Sequence, residues 1–452
     1  MKLSIIGLGK LGGPMAAVMA HKGHHVVGVD KNPLVVTAIR EGRPPANEPQ
    51  LAEMIAANRA RLTATHDYEE AILATDVTFI IVPTPLGSGG RFSMEHVLNA
   101  AVQIGRVLRN KQAWHLVVLS STVMPGSVGG QLLPALEKYS GKKCGAGFGL
   151  CYNPEFIALG SVVRDMLNPD MILIGESDAR SGAILEELYT GLCESRPRIQ
   201  RMNFVNAELT KLAVNTFVTT KISYANMLAE LCEKLSGADV DVVTGALGCD
   251  TRIGAKYLKG ALGYGGPCFP VDNIALSTLA RENGVPALLA EATDALNRHQ
   301  APRVAELLLS RLPQGGTVGV LGLAYKAHTE VIEESQGVAI AKVLAARGAR
   351  VVVYDPAAME LTRRQLGDSI AYAASAAECA GQSDVLAITT PWPEFGKLAP
   401  SDLKPADMKK GAKPVIVDCW RVLPRAAFED AAEYLTLGYG MSNPLVLVAE
   451  RD

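Results

Sequence analysis

The sequence lacks the features that mark several classes of protein. It contains no Cys-x-x-Cys pair, and its eight cysteines are scattered along the chain. A disulfide scaffold and a zinc site are therefore not expected, because both need closely placed cysteines. No apolar run is long enough to span a membrane, and the first residues, MKLSIIGLG, meet glycines too early for a signal peptide. We therefore expect a cytoplasmic protein with no metal site and no membrane partner.

An excess of charge of one sign is also missing. Lys and Arg number 44 and Asp and Glu number 46, which gives a formal net charge of −2. Nucleic acids and acidic membranes bind proteins with a strong basic excess, so neither is an expected partner. Aromatic residues are few, at 5%, whereas 48% of the residues are hydrophobic. This composition is typical of a packed α/β enzyme, and 452 residues suffice for two or three domains.

Two parts of the chain alternate apolar strands with helical segments. The first has the predicted strands LSIIGLG, HHVVGVD, VTFIIV and HLVVLSS, and the last third has TVGVLGLAYK, RVVVYDP, DVLAITTP and PVIVD. Strands that are apolar throughout predict parallel sheets covered on both faces. Between these parts, ELTKLAVNTFVTTKISYANMLAELCEKL predicts one long helix, a natural dimerisation surface. We therefore predict an α/β fold with two Rossmann-like, doubly wound parallel-sheet domains joined by a central long-helix domain.

A dinucleotide-binding signal follows the first strand. Gly7, Gly9 and Gly12 form G-x-G-x-x-G. The first glycine permits a tight turn, the second lets a pyrophosphate approach the backbone, and the third lets helix and strand pack closely. Alone, the motif could be a structural turn, but Asp30 ends the second strand, where a carboxylate binds a ribose 2′-OH and repels a 2′-phosphate. NAD is therefore favoured over NADP, whereas Ala324 at the equivalent of Gly9 predicts a different manner of nucleotide binding in the second half.

A loop rich in glycine and proline surrounds Cys268 in LKGALGYGGPCFPVD. Most cysteines fill the core, but in such a loop the backbone can approach a ligand, and Asp272 lies four residues on. Lys211 and Asn215 stand at i and i+4 on the predicted long helix, so their side chains project from one face. An asparagine inside an apolar helix is unfavourable unless it is satisfied, which favours a site over a solvated lysine beside a cap.

Over essentially its whole length the chain resembles the UDP-glucose/GDP-mannose dehydrogenase family. The matching segments are GLGKLGGPMA, GVD, EPQL, VPTP, STVMPG, NPEF, NPD, ELTKLAVN, RIGAKYLKGALGYGGPCFP, GLAYKAHT and TPWPEF. The resemblance implies an NAD-binding domain in residues 1–203, a helical dimerisation domain with the cysteine loop in 204–303, and a nucleotide-sugar-binding domain in 304–452. It further implies oxidation of a sugar C6 alcohol to a carboxylate with two NAD⁺, a UDP-sugar substrate, and a homodimer or higher oligomer.

The resemblance also implies roles for individual residues. Cys268 as a thiolate would form a thiohemiacetal, whose oxidation gives a thioester for water to hydrolyse. Lys211 and Asn215 would stabilise oxyanions, and Glu155, Thr122 and Asp272 would handle protons and water. The implied cofactor contacts are Gly7, Leu8, Gly9, Lys10, Leu11, Gly12, Asp30, Lys31, Pro83, Thr84, Ser121 and Thr122. The implied substrate contacts are Glu155, Phe156, Lys211, Asn215, Arg252 (across the dimer), Lys259, the Gly260–Gly265 loop with Tyr264 and Gly265, and Lys326.

Four positions depart from the family pattern. Leu159 replaces an acid, Val271 a lysine, and Glu333 and Trp420 each an arginine. Because charged partners are missing near the expected ligands, we expect UDP-glucose to be accepted weakly and an N-acetylated or otherwise modified sugar to be preferred. The alternative is that neighbours such as Arg421 have taken over the lost contacts.

Two other functions fit part of the pattern. The glycine turn followed by a K-x-x-x-N helix also looks like a 3-hydroxyacid dehydrogenase, which needs no cysteine and lacks a second Rossmann-like half. The departures would also suit a non-catalytic nucleotide-sugar-binding protein. Such a protein needs none of Cys268, Lys211, Asn215 and Asp272, so their joint presence favours an enzyme.

Overall fold

The computed structural model describes residues 1–404 and 413–440. The chain divides into two compact units, Met1–Val214 and Asn215–Asp452, and the boundary lies inside one long helix. The division at 203/204 and 303/304 into three functional domains stays a prediction. Within the described ranges, no helix combines the length and the apolar composition needed to cross a membrane.

The first unit contains one eight-stranded sheet. Its strands are β1 (Lys2–Ile6), β2 (His25–Val29), β3 (Leu62–Thr65), β4 (Val77–Ile80), β5 (Leu116–Leu119), β6 (Gly149–Tyr152), β7 (Met171–Glu176) and β8 (Arg198–Met202). They are ordered β3-β2-β1-β4-β5-β6-β7-β8, and neighbours are parallel except for β6 and β7. The predicted parallel sheet is confirmed through β6. The connection from β6 to β7 does not cross to the other end of the strands. Strand β7 therefore starts at the end where β6 finishes and runs antiparallel to it.

Helices cover both faces of this sheet. They are α1 (Gly12–His21), α2 (Pro33–Arg40), α3 (Leu51–Ala57), α4 (Tyr68–Leu73), α5 (Glu95–Asn110), α6 (Leu133–Ser140), α7 (Val162–Leu167) and α8 (Ala179–Leu192). Side chains alternate along the strands, so Val118 of β5 packs in one apolar cluster with α1, while Val117 and Leu119 pack in a second cluster with α5. Burial on both faces explains why these strands are apolar throughout.

The predicted long helix is confirmed as α9 (Phe204–Lys234). It is followed by α10 (Val240–Cys249), α11 (Phe269–Glu282) and α12 (Leu288–Arg311). The expected boundary at 303/304 falls inside α12, because this helix continues until shortly before the second sheet begins.

The second sheet repeats the topology of the first six strands. Its strands are β9 (Thr317–Leu321), β10 (Arg350–Tyr354), β11 (Ala371–Tyr372), β12 (Val385–Ile388), β13 (Val415–Asp418) and β14 (Glu433–Thr436), and its helices are α13 (Gln336–Ala346), α14 (Met359–Leu366), α15 (Ala376–Gln382) and α16 (Arg425–Phe428). The order is β11-β10-β9-β12-β13-β14, and all neighbours are parallel. The predicted pair of Rossmann-like sheets is therefore confirmed.

Candidate active site

The turn after β1 has the shape of a dinucleotide cradle. Gly7 has a φ of 97°, and a Cβ there would lie 2.5 Å from the carbonyl oxygen of Ile81. A Cβ on Gly12 would overlap the carbonyl oxygen of Gly7. No atom lies within 4 Å of a Cβ built on Gly9, so the backbone there faces open space at the start of α1. The protein's own packing thus requires the outer two glycines, and the middle one leaves room for a phosphate at the helix N-terminus.

Asp30 is held beside this turn by backbone donors. Its Oδ2 accepts a hydrogen bond from the N–H of Leu8 at 2.8 Å, and its Oδ1 accepts one from the N–H of Asn32 at 2.8 Å. A carboxylate oxygen has two acceptor positions, so both oxygens can also accept a ribose hydroxyl. The side chain of Leu8 is fully buried and its N–H is already donated. Leu8 therefore contributes to the cofactor site by orienting the Asp30 carboxylate.

The other predicted cofactor residues follow the carboxyl ends of β1, β2, β4 and β5, which meet at one edge of the sheet. Ser121 donates from its hydroxyl to the carbonyl oxygen of Val82 at 2.7 Å. Thr84 donates to the carbonyl oxygen of Thr122 at 2.7 Å. These two bonds tie the loops after β4 and β5 together. The further predicted contacts at this edge are Lys10, Lys31 and Pro83, all exposed, with Leu11 half-buried.

Lys211 reaches the loop that follows β6. Its Nζ donates to the carbonyl oxygen of Glu155 at 2.5 Å and lies 4.8 Å from the ring centroid of Phe156. The Glu155 carboxylate accepts from the N–H of Ile157 at 2.8 Å. The first unit thus brings together Lys211, Glu155 and Phe156. An ammonium carries three donors, and the bond to Glu155 uses one.

A buried glutamate that sequence reasoning missed holds a second loop. Glu208 lies one turn before Lys211 on α9 and is fully buried. Its carboxylate accepts from the N–H groups of Gly126 at 2.6 Å and Val128 at 2.7 Å. Burial raises the pKa of Glu208, and the backbone donors oppose that rise. The sequence feature that could have identified Glu208 is an acidic residue on an apolar helix, three positions before Lys211 and therefore on the same helix face.

Glu48 has the same function in the loop after NPEF. It is buried, and its two oxygens accept from the N–H groups of Gly160 at 2.9 Å and Val162 at 2.7 Å. The carboxylate thereby satisfies donors at the start of α7 that have no helical partner. Glu48 belongs to the EPQL segment, which sequence reasoning quoted only as a point of resemblance.

In the second unit, three predicted catalytic residues meet at the start of α11. Asn215 donates from Nδ2 to Oδ2 of Asp272 at 2.5 Å, and the two residues are 9% and 2% exposed. The backbone N–H of Asp272 donates to the carbonyl oxygen of Cys268 at 2.9 Å. Cys268 is exposed and is the N-cap residue of α11. A helix N-terminus favours negative charge, as on a thiolate or an oxyanion.

Buried asparagines shape the glycine loop that precedes Cys268. Asn226 on α9 accepts from the N–H of Ala261 and donates to the carbonyl oxygen of Leu262, both at 3.0 Å. Asn297 on α12 makes the same pair of bonds to the backbone of Tyr264, at 2.7 and 3.0 Å. These amides replace the backbone partners that an irregular loop lacks. Both residues could have been identified from the sequence, because an asparagine inside an apolar helix is unfavourable unless it is hydrogen-bonded.

Tyr264 and Gly265 have structural contacts in this loop. The hydroxyl of Tyr264 is buried and accepts from Nδ2 of Asn273 at 2.9 Å, and burial raises the pKa of this tyrosine. Asn273 also donates to the hydroxyl of Thr219 at 2.9 Å. A Cβ on Gly265 would overlap the carbonyl oxygen of Glu334. Both residues are buried, so the structure gives them a structural role in the loop and does not show a surface for substrate contact.

The predicted basic substrate residues lie on exposed or half-buried segments. Arg252 is exposed and pairs with Asp250 at 2.6 Å, just after α10. Lys259 is exposed at the start of the glycine loop. Lys326 follows β9, and its Nζ lies 5.8 Å from the ring centroid of Tyr325.

In the second Rossmann-like half, the acid at the equivalent strand end accepts hydrogen bonds from the protein itself. Asp355 follows β10, the position that Asp30 has after β2, and is almost fully buried. Its Oδ2 accepts from the N–H groups of Leu323 at 2.7 Å and Ala324 at 2.9 Å and from Nε1 of Trp392 at 3.1 Å. Its Oδ1 accepts two further backbone N–H groups. These five donors saturate the carboxylate, so it does not offer a ribose the acceptors that Asp30 offers.

Two of the departures from the family pattern serve internal packing. Leu159 packs against the apolar core of the first unit. Trp420 packs against the core of the second and donates from Nε1 to the carbonyl oxygen of Thr389 at 2.9 Å. Arg421 forms ion pairs with Asp239, at 3.2 Å, and with Asp241. Glu333 contributes its carbonyl oxygen to the N–H of Gly266, and nothing in the structure explains Val271.

Comparisons with known proteins agree along the chain. Residues 1–193 match the NAD binding domain of the UDP-glucose/GDP-mannose dehydrogenase family, residues 205–299 its central domain, and residues 319–425 its UDP binding domain. The chain is 40% identical to the UDP-glucose 6-dehydrogenase AglM of Haloferax volcanii over 88% of this chain and 93% of that one. It is 34% identical to the UDP-glucose 6-dehydrogenase TuaD of Bacillus subtilis, covering 92% and 88%.

Solved structures give the same result. A UDP-glucose dehydrogenase from Pyrobaculum islandicum is 38% identical, with a TM-score of 0.86 over 97% of this chain and 98% of that one. A UDP-D-ManNAc dehydrogenase from Pyrococcus horikoshii, 24% identical with a TM-score of 0.79 over 97% of this chain and all of that one, shows the fold alone. The expected cofactor, NAD, and the expected NAD-dependent nucleotide-sugar dehydrogenase are confirmed, in preference to a hydroxyacid dehydrogenase or a non-catalytic binder. The chain belongs to the UDP-glucose/GDP-mannose dehydrogenase family.

Proposed function

We propose that this enzyme oxidises the C6 alcohol of UDP-glucose to the uronic acid in two NAD⁺-dependent steps, with Cys268 as the covalent catalyst. The arrangement that carries the proposal is the group formed by Cys268, Asp272 and Asn215 at the start of α11. A two-electron dehydrogenase has no use for a nucleophile, whereas a four-electron one needs it, because an aldehyde has no second hydride to give until a nucleophile adds.

Cys268 forms and later breaks the one covalent bond between the enzyme and the sugar. When bound, NAD⁺ accepts one hydride in each of the two oxidations. After the first oxidation, the Cys268 thiolate attacks the aldehyde carbon, the C–S bond forms, and the carbonyl electron pair moves to oxygen as a thiohemiacetal. The second oxidation gives a thioester. Water then attacks the thioester carbonyl, the C–S bond breaks, and the carboxylate and the thiolate separate.

Further side chains are assigned to charge stabilisation and proton transfer. We assign the Lys211 ammonium and the Asn215 amide to the oxyanions, because both are donors held in fixed positions. Asp272, positioned by Asn215, accepts a proton from the hydrolytic water. Glu155 and Thr122 are assigned to proton transfer at the alcohol. The cofactor contacts proposed are those at the β1, β2, β4 and β5 edge described above, and Arg252, Lys259 and Lys326 are proposed to contact the nucleotide-sugar.

The choice of UDP-glucose replaces the expectation of a modified sugar. That expectation treated Leu159 and Trp420 as residues facing a ligand, and both pack internally instead. Residues 319–425 match a UDP binding domain, and the relatives at 34–40% identity named above are UDP-glucose 6-dehydrogenases. Val271 remains as a departure that the structure does not explain.

We further propose a homodimer formed through α9. Phe217, Tyr224 and Leu231 recur every seven residues on this helix, and all three large apolar side chains are exposed in the single chain, Phe217 by 64%. An apolar stripe of this kind is typical of a protein interface. A catalytic thiol also needs a reducing compartment, which supports a cytoplasmic location.

The test is a panel of UDP-glucose, UDP-N-acetylglucosamine, GDP-mannose and dTDP-glucose with NAD⁺, in which NADH and the sugar product are both quantified. We expect the highest kcat/KM with UDP-glucose, and two NADH for each uronic acid. One NADH per product, with an aldehyde or ketone accumulating, would overturn the proposed function. An N-acetylated sugar at the top of the panel would overturn only the assignment of the sugar.

A further inference from the structure

His66 stands at the carboxyl end of β3, beside the acid of the dinucleotide cradle. Its Nδ1 lies 2.8 Å from the carbonyl oxygen of Asp30. A carbonyl oxygen can only accept, so Nδ1 of His66 carries the proton. In the neutral ring, Nε2 is then an acceptor, and the bond to Asp30 fixes this tautomer. His66 is exposed, so its Nε2 can reach a ligand.

A groove of about 730 Å³ opens beside this imidazole. Its lining includes His66, Tyr68 at the start of α4, and Gln103 and Arg106 on α5. Burial raises the pKa of Tyr68, and the nearby Asp30 carboxylate raises it further, so the phenol lies within electrostatic reach of the ribose-binding acid. His66 and Tyr68 therefore line the groove, and the Asp30 carboxylate lies close to Tyr68.

The sheet order indicates which part of NAD⁺ lies at this groove. The glycine turn follows β1, Asp30 follows β2, and His66 follows β3, and these three strands are neighbours in that order. In NAD⁺ the pyrophosphate, the adenosine ribose and the adenine are linked in the same order. With the pyrophosphate at Gly9 and the ribose at Asp30, the base extends toward β3 and His66.

Resting on the proposed function, we propose that His66 is a specificity-determining residue for the cofactor base. Its Nε2 accepts a hydrogen bond from the 6-amino group of adenine, which lies in the groove with Tyr68. A hypoxanthine base carries a 6-oxo group at this point, and two acceptors would then face each other. The ring cannot change tautomer to relieve this conflict without losing its bond to the Asp30 carbonyl.

The test compares the binding of NAD⁺ and nicotinamide hypoxanthine dinucleotide at pH 8.5 by isothermal titration calorimetry. We expect the wild-type protein to bind NAD⁺ about fivefold or more tightly than the hypoxanthine form, as one hydrogen bond implies. His66→Ala should bring the two dissociation constants to within about twofold, mainly by weakening NAD⁺ binding. His66→Gln, whose amide oxygen accepts, should keep part of the preference.

The matched control is His25→Ala, an exposed histidine at the opposite end of β2, which should leave the preference unchanged. Equal binding of the two dinucleotides by the wild-type protein, or an unchanged preference in His66→Ala, would overturn the inference while NAD⁺ binding stands. If neither dinucleotide binds the wild-type protein, the cofactor site and the inference both fail. If His66→Ala does not fold, the wild-type protein and His66→Gln decide the matter.

Discussion

Asn215 donates a hydrogen bond from Nδ2 to Oδ2 of Asp272 at 2.5 Å, and both residues are almost completely buried. One residue lies on α9 and the other in the first turn of α11, the helix that begins directly after Cys268. A buried carboxylate is costly unless it is hydrogen-bonded, so the amide offsets part of this cost and fixes the direction of the Asp272 side chain. This pairing supports the role proposed for Asp272 as the base that activates the hydrolytic water.

Asp272→Asn is expected to stop the reaction at the thioester. The amide keeps the shape of the carboxylate but cannot take a proton from water, so kcat should fall about 10²-fold or more. Rapid-quench kinetics should show a burst of NADH, followed by a slow steady state. A variant that hydrolyses at the wild-type rate without a burst would remove Asp272 from the catalytic group.

Asp30 should determine the choice between NAD⁺ and NADP⁺. Its carboxylate is held by the N–H groups of Leu8 and Asn32 and would repel a 2′-phosphate. We expect kcat/KM for NAD⁺ to exceed that for NADP⁺ by about 10²-fold, which corresponds to about 2.7 kcal/mol. Asp30→Ala should narrow the gap, mostly by lowering the value for NAD⁺. Equal use of both cofactors by the wild-type enzyme would contradict this assignment.

Phe217→Glu should weaken the dimer. A charge in the centre of an apolar interface loses its hydration without gaining a partner, so the dissociation constant should rise by at least about 10²-fold. The measurement is sedimentation equilibrium. Leu34→Glu is the control, because Leu34 on α2 is 77% exposed yet lies outside the α9 stripe. Equal association of both variants and the wild-type protein would place the interface elsewhere.

His115 should make the protein sensitive to acid. It is buried, its Nε2 pairs with Thr78 at 2.7 Å, and its Nδ1 accepts from Lys111 at 3.1 Å. Burial lowers the pKa of His115 to about 3. The folded state therefore binds the proton less readily than the unfolded state, for which the ordinary value is 6.5. The resulting stability is fully present above pH 6.5 and is lost as pH falls from 6.5 toward 3.

The measurement is the free energy of unfolding by urea at several values of pH between 4 and 7.5. The difference between the wild-type protein and His115→Gln should shrink with falling pH, by up to about 1.4 kcal/mol per pH unit. A difference in the free energy of unfolding that stays constant over this range would show that His115 takes up no proton when the protein unfolds.

The sequence predicted those parts of the site that depend on backbone geometry and strand order. Gly7 and Gly12 could be identified because only glycine fits a positive φ or a close backbone approach. Asp30 could be placed because it ends a strand. These are local requirements that a short segment displays completely.

The partners of buried polar groups could not be predicted in the same way. Glu208 and Asn226 bond to backbone groups far away in sequence, and nothing near either residue indicates which loop it will hold. For Trp420, the sequence predicted a position near the ligand. In the structure its indole donates to the carbonyl oxygen of Thr389 and packs against the core instead. Roles that depend on long-range packing need the folded structure.

Cys268 is proposed to hold the sugar covalently between the two oxidations, and the yield of uronic acid from Cys268→Ser is the decisive measurement. The matched control is Cys232→Ser, because Cys232 is a buried cysteine on α9 to which no catalytic role is assigned. With UDP-glucose and NAD⁺, we expect two NADH per uronic acid for the wild-type enzyme and the control. We expect almost no uronic acid from Cys268→Ser. Formation of uronic acid by Cys268→Ser at the wild-type rate would show that the thiol is not essential.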